Sequence, residues 1–367
     1  MIFWIGKLLA PFPQLSFLRL AEYLSARSIG AALTAVLLTL WVTPKVIWWL
    51  QRKAFVDQLR ETGIPSAFDK AGTPVMGGVV LVAVVAFSSL LWCNLKSAYA
   101  LLVLLGMLWF AAIGFVDDRA KMRARSGDRG MSEAKKLLLQ GAFAALLVAL
   151  LASPWSPLPA AEAARLHVPF LKTALVDDPW VYFPFVFLFV LLVGNSVNIA
   201  DGMDGLAIVP SVFAIGVLGV FGYLLGNAIW SRYLVYPFLP GAGELAVFAC
   251  AFAGAGVGFL WFNAYPAQIF MGDTGSLSIG GSLAVASVLL KQEALFVILG
   301  GLFVAEAFTS QVQDKIGIKL LGRRLFARAP LHHAMAYNGL AETKVVVRLW
   351  IVSGILALAA LSTLKLR

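Results

Sequence analysis

The chain has 367 residues, of which 60% are hydrophobic, and a formal net charge of +10 with a mean hydropathy of +0.87. This apolar share is far above that of soluble domains, which excludes an ordinary soluble protein. The charge pattern argues against nucleic-acid binding, because Lys and Arg collect in three loops that the positive-inside bias places on one side of a membrane.

Apolar runs of roughly 16 to 22 residues recur along the whole chain, and each is long enough to cross the hydrocarbon core of a membrane as a slightly tilted helix. We predict an all-α polytopic membrane protein with about ten transmembrane helices. Short loops leave no room for a separate soluble domain, so residues 1–367 are predicted to form one integral membrane domain. The predicted spans lie near 29–50, 76–95, 99–116, 137–152, 181–197, 206–225, 245–260, 276–290, 294–312 and 345–364.

The charged loops predict the topology. Segments 51–75, 117–136 and 313–344 are rich in Lys and Arg and fall on one side of the predicted spans, so we expect them in the cytoplasm and both termini outside, which is periplasmic in a bacterium. Segment 153–180 is rich in Pro and Ala and predicts an external loop with room for a small hairpin. Cys93 and Cys250 lie in or beside spans, which favours core packing over a redox or metal role.

Acidic residues concentrate where apolar runs end or meet. Ionisable groups at membrane depth are costly and usually face a water-filled cavity or an ion. Several carboxylates at one face suggest a Mg²⁺ site, because Mg²⁺ prefers hard oxygen ligands, and hence an enzyme that acts on phosphates. The chain has only nineteen acidic residues, and six of them form this set: Asp69, Asp117, Asp118, Asp201, Asp204 and Asp273.

Two of the acidic motifs allow alternative interpretations. In GFVDDRAK, Asp117 and Asp118 either cap the following segment or place one carboxylate in a cavity wall, because neighbours on a helix point in different directions. In NIADGMDGLA, Asn198, Asp201 and Asp204 share one face if the segment is helical. The alternative for this motif is a turn rich in Asp and Gly.

Two further motifs suggest phosphate chemistry. In FMGDTGS, a Gly/Ser-flanked Asp273 directly precedes a span, which offers helix N-terminal N–H groups to phosphate beside a metal-binding carboxylate. The alternative is that Asp273 only caps the span. His332 and His333 in the last basic loop suit phosphate binding, proton transfer or metal ligation, or else form a solvated pair.

These motifs resemble those of the phospho-N-acetylmuramoyl-pentapeptide transferases, a family within the polyprenyl-phosphate N-acetylhexosamine-1-phosphate transferase superfamily. The resemblance extends over nearly the whole chain, and the blocks FNAYPAQIFMGDTGS and ETKVVVR are its most specific parts. The matching segments are KAGTPVMGG, GFVDDRAK, GMSEAKKLLLQ, NSVNIADGMDGLA, GFLWFNAYPAQIFMGDTGSLSIGG, APLHH and ETKVVVRLW.

The resemblance implies a Mg²⁺-dependent membrane transferase with ten spans, a homodimeric state and a cytoplasm-facing active site in the bacterial inner membrane. It implies transfer of phospho-N-acetylmuramoyl-pentapeptide from UDP to undecaprenyl phosphate in the bilayer. The products would be lipid I and UMP, in the first membrane step of peptidoglycan synthesis. It implies no nucleic-acid partner.

The resemblance also implies roles for individual residues. Asp117, Asp118 and Asp273 match essential aspartates, with Asp273 as the Mg²⁺ ligand. The remaining matches are to substrate-side positions: Lys70, Thr73, Lys121, Lys136, Asn198, Asp201, Asp204, Asn263, Phe270, Gly272, Gln313, His332 and His333.

One position departs from the family pattern. The family usually has three consecutive histidines, whereas Ala334 follows His332 and His333 here. If the assignment holds, a third histidine is not indispensable in this chain.

Two rival functions remain at this point. A related transferase for N-acetylglucosamine-1-phosphate shares the DD and NxxDGxDG motifs, but the ETKVVVR segment favours the peptidoglycan enzyme. A cation-coupled transporter would use the aspartates as an ion site, but they collect at one face and not at the midplane. For the transfer reaction we favour direct in-line attack, with Asp117 positioning or deprotonating the lipid phosphate, over a covalent aspartyl intermediate.

Overall fold

The structure is a computed structural model that describes residues 1–9, 19–53, 72–124 and 130–366. These residues form α-helices, one two-stranded hairpin of β1 (Arg165–Leu166) and β2 (Val176–Asp177), a π-helical segment Val312–Leu320 and a 3₁₀ turn Thr363–Lys365. The helices are α1 (Ile2–Leu9), α2 (Leu24–Arg52), α3 (Gly78–Trp92), α4 (Ala98–Arg123), α5 (Glu133–Leu151), α6 (Pro179–Ala200), α7 (Ile208–Leu225), α8 (Ala228–Tyr233), α9 (Glu244–Asn263), α10 (Gly272–Leu289), α11 (Glu293–Leu299), α12 (Gly301–Gln311), α13 (Leu331–Tyr337) and α14 (Glu342–Ser362).

The all-α polytopic fold is confirmed. Every predicted span falls on a described helix. The span predicted at 294–312 falls on α11 and α12. Helix α11 and the continuous stretch of α12 and the π-helical segment form a pair that is bent by 85°. By length and apolar composition, seven of the described helices can cross a membrane, or eight if the bent pair is one span. The count stays below ten because α3 has only 15 residues and α10 does not meet that criterion.

The predicted hairpin is confirmed as well. β1 and β2 pair antiparallel, with Arg165 opposite Asp177 and Leu166 opposite Val176, and they pack on the beginning of α6. The chain enters α6 through Asp178, whose carboxylate accepts a hydrogen bond from Trp180 N at 2.9 Å, and Pro179 occupies the first helical position. An aspartate cap followed by proline favours a helix start, so the sequence itself sets where α6 begins.

Helix α10 lies at the centre of the bundle. All its residues from Thr274 to Leu289 are buried, and it packs against α3, α4, α6 and α7. It contacts α3 through two glycines: a Cβ on Gly78 would lie 2.2 Å from the nitrogen of Gly275. Small residues permit such close backbone approach, which is the usual basis of packing between transmembrane helices.

The helices alternate in direction, so the loops that carry the acidic motifs meet at one end of the bundle, here called the site end. Helices α4, α6 and α9 finish there, and α5, α7, α10 and α14 begin there. Hydrogen bonds among these loops confirm that 117–136, 198–205, 261–275 and 313–344 lie together, as far as they are described. The opposite end, where α2 and α9 begin, is called the far end. Which membrane face each end meets remains a prediction.

Candidate active site

Two lysines bridge two carboxylates at the site end. Lys121 Nζ lies 2.7 Å from Asp117 Oδ2 and 3.0 Å from Asp273 Oδ2. Lys136 Nζ lies 2.7 Å and 2.9 Å from the same two oxygens. The side chains of Lys121 and Lys136 are 28% and 20% exposed, so their ammonium groups face solvent as well as the carboxylates. This arrangement, the bridged pair, places both lysines beside two of the predicted acids.

Asp117 anchors the bridged pair from inside the protein. Its side chain is fully buried, Oδ1 accepts a hydrogen bond from Met131 N at 2.6 Å, and Oδ2 accepts the two lysines. Lys121 follows Asp117 by one turn of α4, and Lys136 stands in the first turn of α5. Met131, just before α5, thus lies on Asp117, which contacts both lysines.

Asp118 points away from the bridged pair and caps α10. Its Oδ1 accepts from Asp273 N at 3.0 Å, and its Oδ2 accepts from Thr274 N at 2.9 Å and Thr274 Oγ1 at 2.6 Å. The prediction that adjacent carboxylates diverge is therefore confirmed. The helix N-terminal N–H groups predicted to bind phosphate are instead paired with Asp118, because a carboxylate of the chain satisfies the same positive helix end.

Gly272 makes this cap possible. Its φ is +72°, and a Cβ there would lie 2.8 Å from Asp118 Oδ2. A side chain at this position would strain the backbone and displace the carboxylate. The predicted substrate-side glycine thus has a structural task in this fold.

Asn198 connects α6 to the bridged pair. Its Nδ2 donates to Asp273 Oδ1 at 3.1 Å and to Ser276 Oγ at 2.9 Å. Asp273 therefore accepts an amide on one oxygen and two ammonium groups on the other. Its side chain remains 16% exposed, so it is the acid of the pair that solvent and a ligand can reach.

The prediction that Asn198, Asp201 and Asp204 share a helix face is wrong, and the alternative of a turn rich in Asp and Gly is confirmed. Helix α6 ends at Ala200, and the chain then turns through Gly205, whose φ is +72°. Glycine favours this turn because only it adopts positive φ without strain. Asp201 therefore caps the helix end, and Asp204 lies in the turn.

Asp201 carries a carboxylate without a cation partner. Among the described residues, it accepts no side-chain hydrogen bond and forms no ion pair. Burial and the nearby charges of Asp273, Asp118 and Asp204 raise the pKa of its carboxyl to about 8. A cation, or a hydrogen-bond donor from a ligand, would stabilise the ionised carboxylate of Asp201 and lower its pKa.

Asp204 and Asn263 join two loops of the site end. Asp204 Oδ2 accepts from Ala267 N at 3.1 Å, and Asn263 Oδ1 accepts from Gly205 N at 3.2 Å while its Nδ2 donates to Ile269 O at 2.9 Å. Both side chains are buried. The structure thus places both predicted substrate-side residues within the wall of the site.

The segment beside the predicted Lys70 and Thr73 packs on the loop before α10. Phe270 N donates to Pro74 O at 2.8 Å, and Gly77 N donates to Phe270 O at 2.8 Å. Thr73 precedes this contact and is half-buried. Lys70 and Asp69 lie outside the described residues.

Gln313 makes three hydrogen bonds within the chain. Its Oε1 accepts from Leu325 N and Phe326 N, both at 3.0 Å, and its Nε2 donates to Phe326 O at 3.3 Å. These bonds fold the basic loop back on the π-helical segment. Because Oε1 already accepts two hydrogen bonds, the amide cannot both accept from and donate to a substrate at the predicted contact.

The histidines are not a solvated pair, so that alternative is wrong. His332 is fully buried on α13, its Nδ1 lies 3.0 Å from Glu306 Oε2, and its ring contacts that of His333 at 4.2 Å between centroids with a tilt of 51°. A Cβ on Gly202 would lie 2.2 Å from His332 Nε2, so the histidine helix fits closely against the turn after α6. His333 is half-buried at the same place.

The donor set is compatible with a magnesium ion held mainly by substrate. Among the residues that the structure describes, no cluster of three or more His, Cys, Asp or Glu side chains is arranged as a metal site. Mg²⁺ commonly takes only one or two protein carboxylates and completes its shell with water and phosphate. The reachable carboxylate of Asp273, next to the carboxyl group of Asp201, which has no cation partner among the described residues, fits that pattern.

Several contributors were not predicted from the sequence. Thr274 donates to the carboxylate of Asp118, and Ser276 accepts from the amide of Asn198. Glu306 contacts the buried ring of His332. A signal for Glu306 existed, because it is an acid within the apolar run GLFVAEAF.

Residues 100–291, slightly more than half of the chain, match the model of the family described as glycosyl transferase family 4. The chain belongs to this family. The matched region contains the bridged pair, Asp118, Asn198 and Asp201, so the geometry above lies inside it. Membership of this family supports the transfer of a phospho-sugar to a polyprenyl phosphate. The resemblance is therefore confirmed for the superfamily. The chain is therefore a membrane-embedded transferase.

Proposed function

We propose that this transferase moves phospho-N-acetylmuramoyl-pentapeptide from UDP to undecaprenyl phosphate and forms lipid I and UMP. The observation that supports a phosphate-transfer site is the bridged pair, where two ammonium groups share the carboxylates of Asp117 and Asp273 at a partly exposed position. The motifs ETKVVVR and FNAYPAQIFMGDTGS favour the muramoyl-pentapeptide substrate over other sugars.

The lysines address the main barrier of such a reaction. An anionic lipid phosphate attacks an anionic diphosphate, so catalysis is largely positioning and neutralisation of charge. Lys121 and Lys136 carry ammonium groups on flexible stems and are partly exposed. Their ammonium groups can exchange the contact with Asp273 for phosphate oxygens while they keep the contact with Asp117.

The lipid phosphate needs little activation by a base. A phosphate monoester has a second pKa of about 6 and is mostly dianionic at neutral pH. Both oxygens of Asp117 already accept hydrogen bonds. In this proposal Asp117 is therefore the anchor of the lysines, and attack on the diphosphate is direct and in line.

Magnesium completes the proposal. Asp273 would hold the ion, which when bound supplies positive charge to the diphosphate and the leaving UMP. Asn198 keeps Asp273 oriented through its 3.1 Å bond, and Asp118 keeps α10, which carries Asp273, in place.

Substrate choice is the direct test. Purified protein is incubated with undecaprenyl phosphate and Mg²⁺, and with either UDP-N-acetylmuramoyl-pentapeptide or UDP-N-acetylglucosamine, and UMP release is measured. We expect release only with the muramoyl-pentapeptide donor. Release with UDP-N-acetylglucosamine alone would replace this proposal with the related sugar transferase.

Sidedness belongs to the same proposal, with the site end in the cytoplasm of a bacterial inner membrane and a homodimeric enzyme. Arg324 in the last basic loop and Lys172 at the hairpin are both exposed. On a background without Cys93 and Cys250, Lys172→Cys should react with an impermeant thiol reagent in cells whose outer membrane is permeabilised. Arg324→Cys should react only after the inner membrane is opened, and the opposite pattern would invert the topology.

A further inference from the structure

Helix α14 lies beyond the matched region 100–291 and contains the family-like motif ETKVVVRLW, to which the reaction assigns no task. It begins at Glu342 beneath the turn formed by residues 201–205, here called the DG turn. The DG turn links Asp201, at the end of α6, to Asp204. Helix α14 contacts this turn through both polar and apolar side chains.

Two side chains of α14 bind the backbone of the DG turn. Glu342 Oε1 accepts a hydrogen bond from Asp204 N at 3.3 Å. Trp350 Nε1 donates to Gly205 O at 3.1 Å. The backbone groups of two consecutive residues of the turn are thus held from the same helix, one as donor and one as acceptor.

The ring of Trp350 also fills the space that Gly205 leaves. A Cβ on Gly205 would lie 3.3 Å from Trp350 Cζ2, in addition to requiring a positive φ. The indole therefore contacts the turn where it has no side chain. Replacement of the indole by a phenyl ring keeps much of this packing and removes the N–H donor.

An apolar cluster supports the same contact. Met203 and Leu206 from the DG turn and its following residue are buried against Val345, Val346 and Leu349 of α14. Leu331 and Met335 of the histidine helix pack on this cluster too. It is separate from the main core, so α14 and α13 supply much of the apolar packing that holds the turn.

We infer that Glu342 and Trp350 are positioning residues that fix the DG turn, and through it the acids on the nucleotide side of the site. Asp204 in turn holds the loop before α10 through Ala267 N at 3.1 Å, so a shift of the turn would reach both walls of the site. The nucleotide part of this inference rests on the proposed function. The placement of the turn itself does not.

The first experiment uses hydrogen exchange in the free protein. Trp350→Phe and Glu342→Leu should each raise amide exchange in a peptide covering 201–206, because each variant removes one of the hydrogen bonds that α14 makes to the turn. Trp92→Phe is the matched control: it removes an indole N–H bond of 3.0 Å to Thr34 Oγ1 at the far end. We expect the control to leave exchange in the turn unchanged.

The second experiment measures binding of UMP and steady-state kinetics. Loss of one neutral hydrogen bond changes an equilibrium about two- to tenfold, so Trp350→Phe should weaken UMP binding by that factor. KM for the nucleotide substrate should rise alike, with KM for undecaprenyl phosphate unchanged. Glu342→Gln keeps an oxygen acceptor and should restore most of what Glu342→Leu loses.

The outcomes separate the two levels of the account. Faster exchange in the turn with weaker UMP binding supports the inference. Wild-type exchange in both Trp350→Phe and Glu342→Leu overturns it, whatever the activity. If the wild-type protein binds no uridine nucleotide, the proposed function fails, and the exchange result still decides the positioning role.

Discussion

The two ends of the bundle use buried ion pairs in different ways. At the far end, Arg27 binds Glu244 through two bonds of 2.7 Å, Nη1 to Oε2 and Nη2 to Oε1, and Asn94 N donates to the same carboxylate at 2.8 Å. Their side chains are only 4% and 10% exposed. At the site end, the lysines of the bridged pair are 20–28% exposed and each contacts two acids.

The exposure of a buried cation and the number of its acidic partners help to distinguish a functional ion pair from a structural one in this membrane protein. A guanidinium fork on one carboxylate satisfies both partners in a fixed geometry, which suits a structural link between α2 and α9. An ammonium group is a point charge on a flexible stem and can exchange a carboxylate for a phosphate. We therefore assign stability to the far-end pair and phosphate handling to the bridged pair.

The largest effect is expected from breaking the far-end pair. Arg27→Met leaves the carboxylate of Glu244 buried without its cation, which should cost about 3–5 kcal/mol of folding stability. The expected result is a strongly lowered thermal midpoint in detergent, with kcat of the folded fraction close to that of the wild type.

A double variant serves as the control for this prediction. Arg27→Met with Glu244→Leu removes both charges and should recover much of the stability, because no unpaired ion remains. An Arg27→Met protein with normal stability would show that the pair is not a structural link.

The next effect concerns one lysine of the bridged pair. Lys136→Met should lower kcat about ten- to a hundredfold, the usual worth of a charge-assisted hydrogen bond. The fold should persist, because Lys121 still contacts both Asp117 and Asp273. Steady-state UMP release measures the change.

Lys135→Met is the matched control for Lys136→Met, since Lys135 is the neighbouring residue of α5 and is exposed. Its kcat should stay within about twofold of the wild-type value, because an exposed charge without a fixed partner contributes little. Equal losses in the two variants would contradict a specific role for the bridged pair and indicate a general field effect.

The smallest predicted effect is a pH dependence of stability. The folded pKa of Asp201 is about 8, above its ordinary value of 3.8. Its contribution to stability is therefore fully present below about pH 4 and is lost as pH rises towards 8. Without metal or nucleotide, Asp201→Asn should remove this loss, so its thermal midpoint should exceed that of the wild type by a few degrees near pH 8.

The difference between Asp201→Asn and the wild type should shrink towards pH 5. The exposed Asp314 provides the control, and Asp314→Asn should follow the wild-type curve. A difference between Asp201→Asn and the wild type that stays constant from pH 5 to 8 would contradict the raised pKa.

Much of the fold could be predicted from the sequence. Apolar run length identifies the helices, and Asp178 with Pro179 marks the start of α6. The gathering of acids at one end follows from alternating helix direction, which the lengths of the spans determine. Periodicity failed after Asn198, because α6 ends at Ala200 and the chain then turns through Gly205 where the three-residue spacing suggested a continued helix.

The contacts between distant segments were not predictable in this way. Asp118 caps α10, which begins 154 residues later, and spacing gives no sign of this partner. Glu342 and Trp350 reach the DG turn across more than a hundred residues. Sequence patterns report local conformation and burial, whereas which cap or carbonyl a side chain finds depends on how the helices pack.

The most direct test of the central claim is UMP release by Asp273→Asn. Asp273 joins the bridged pair, Asn198 and the proposed magnesium ion, so one neutralised carboxylate affects all three. With undecaprenyl phosphate, UDP-N-acetylmuramoyl-pentapeptide and saturating Mg²⁺, the wild type and the exposed far-end control Asp177→Asn should release UMP. Asp273→Asn, shown to be folded by its thermal midpoint, should release it at least about a hundredfold more slowly. Release by Asp273→Asn within a fewfold of the wild-type rate would contradict the placement of phosphate transfer at this site.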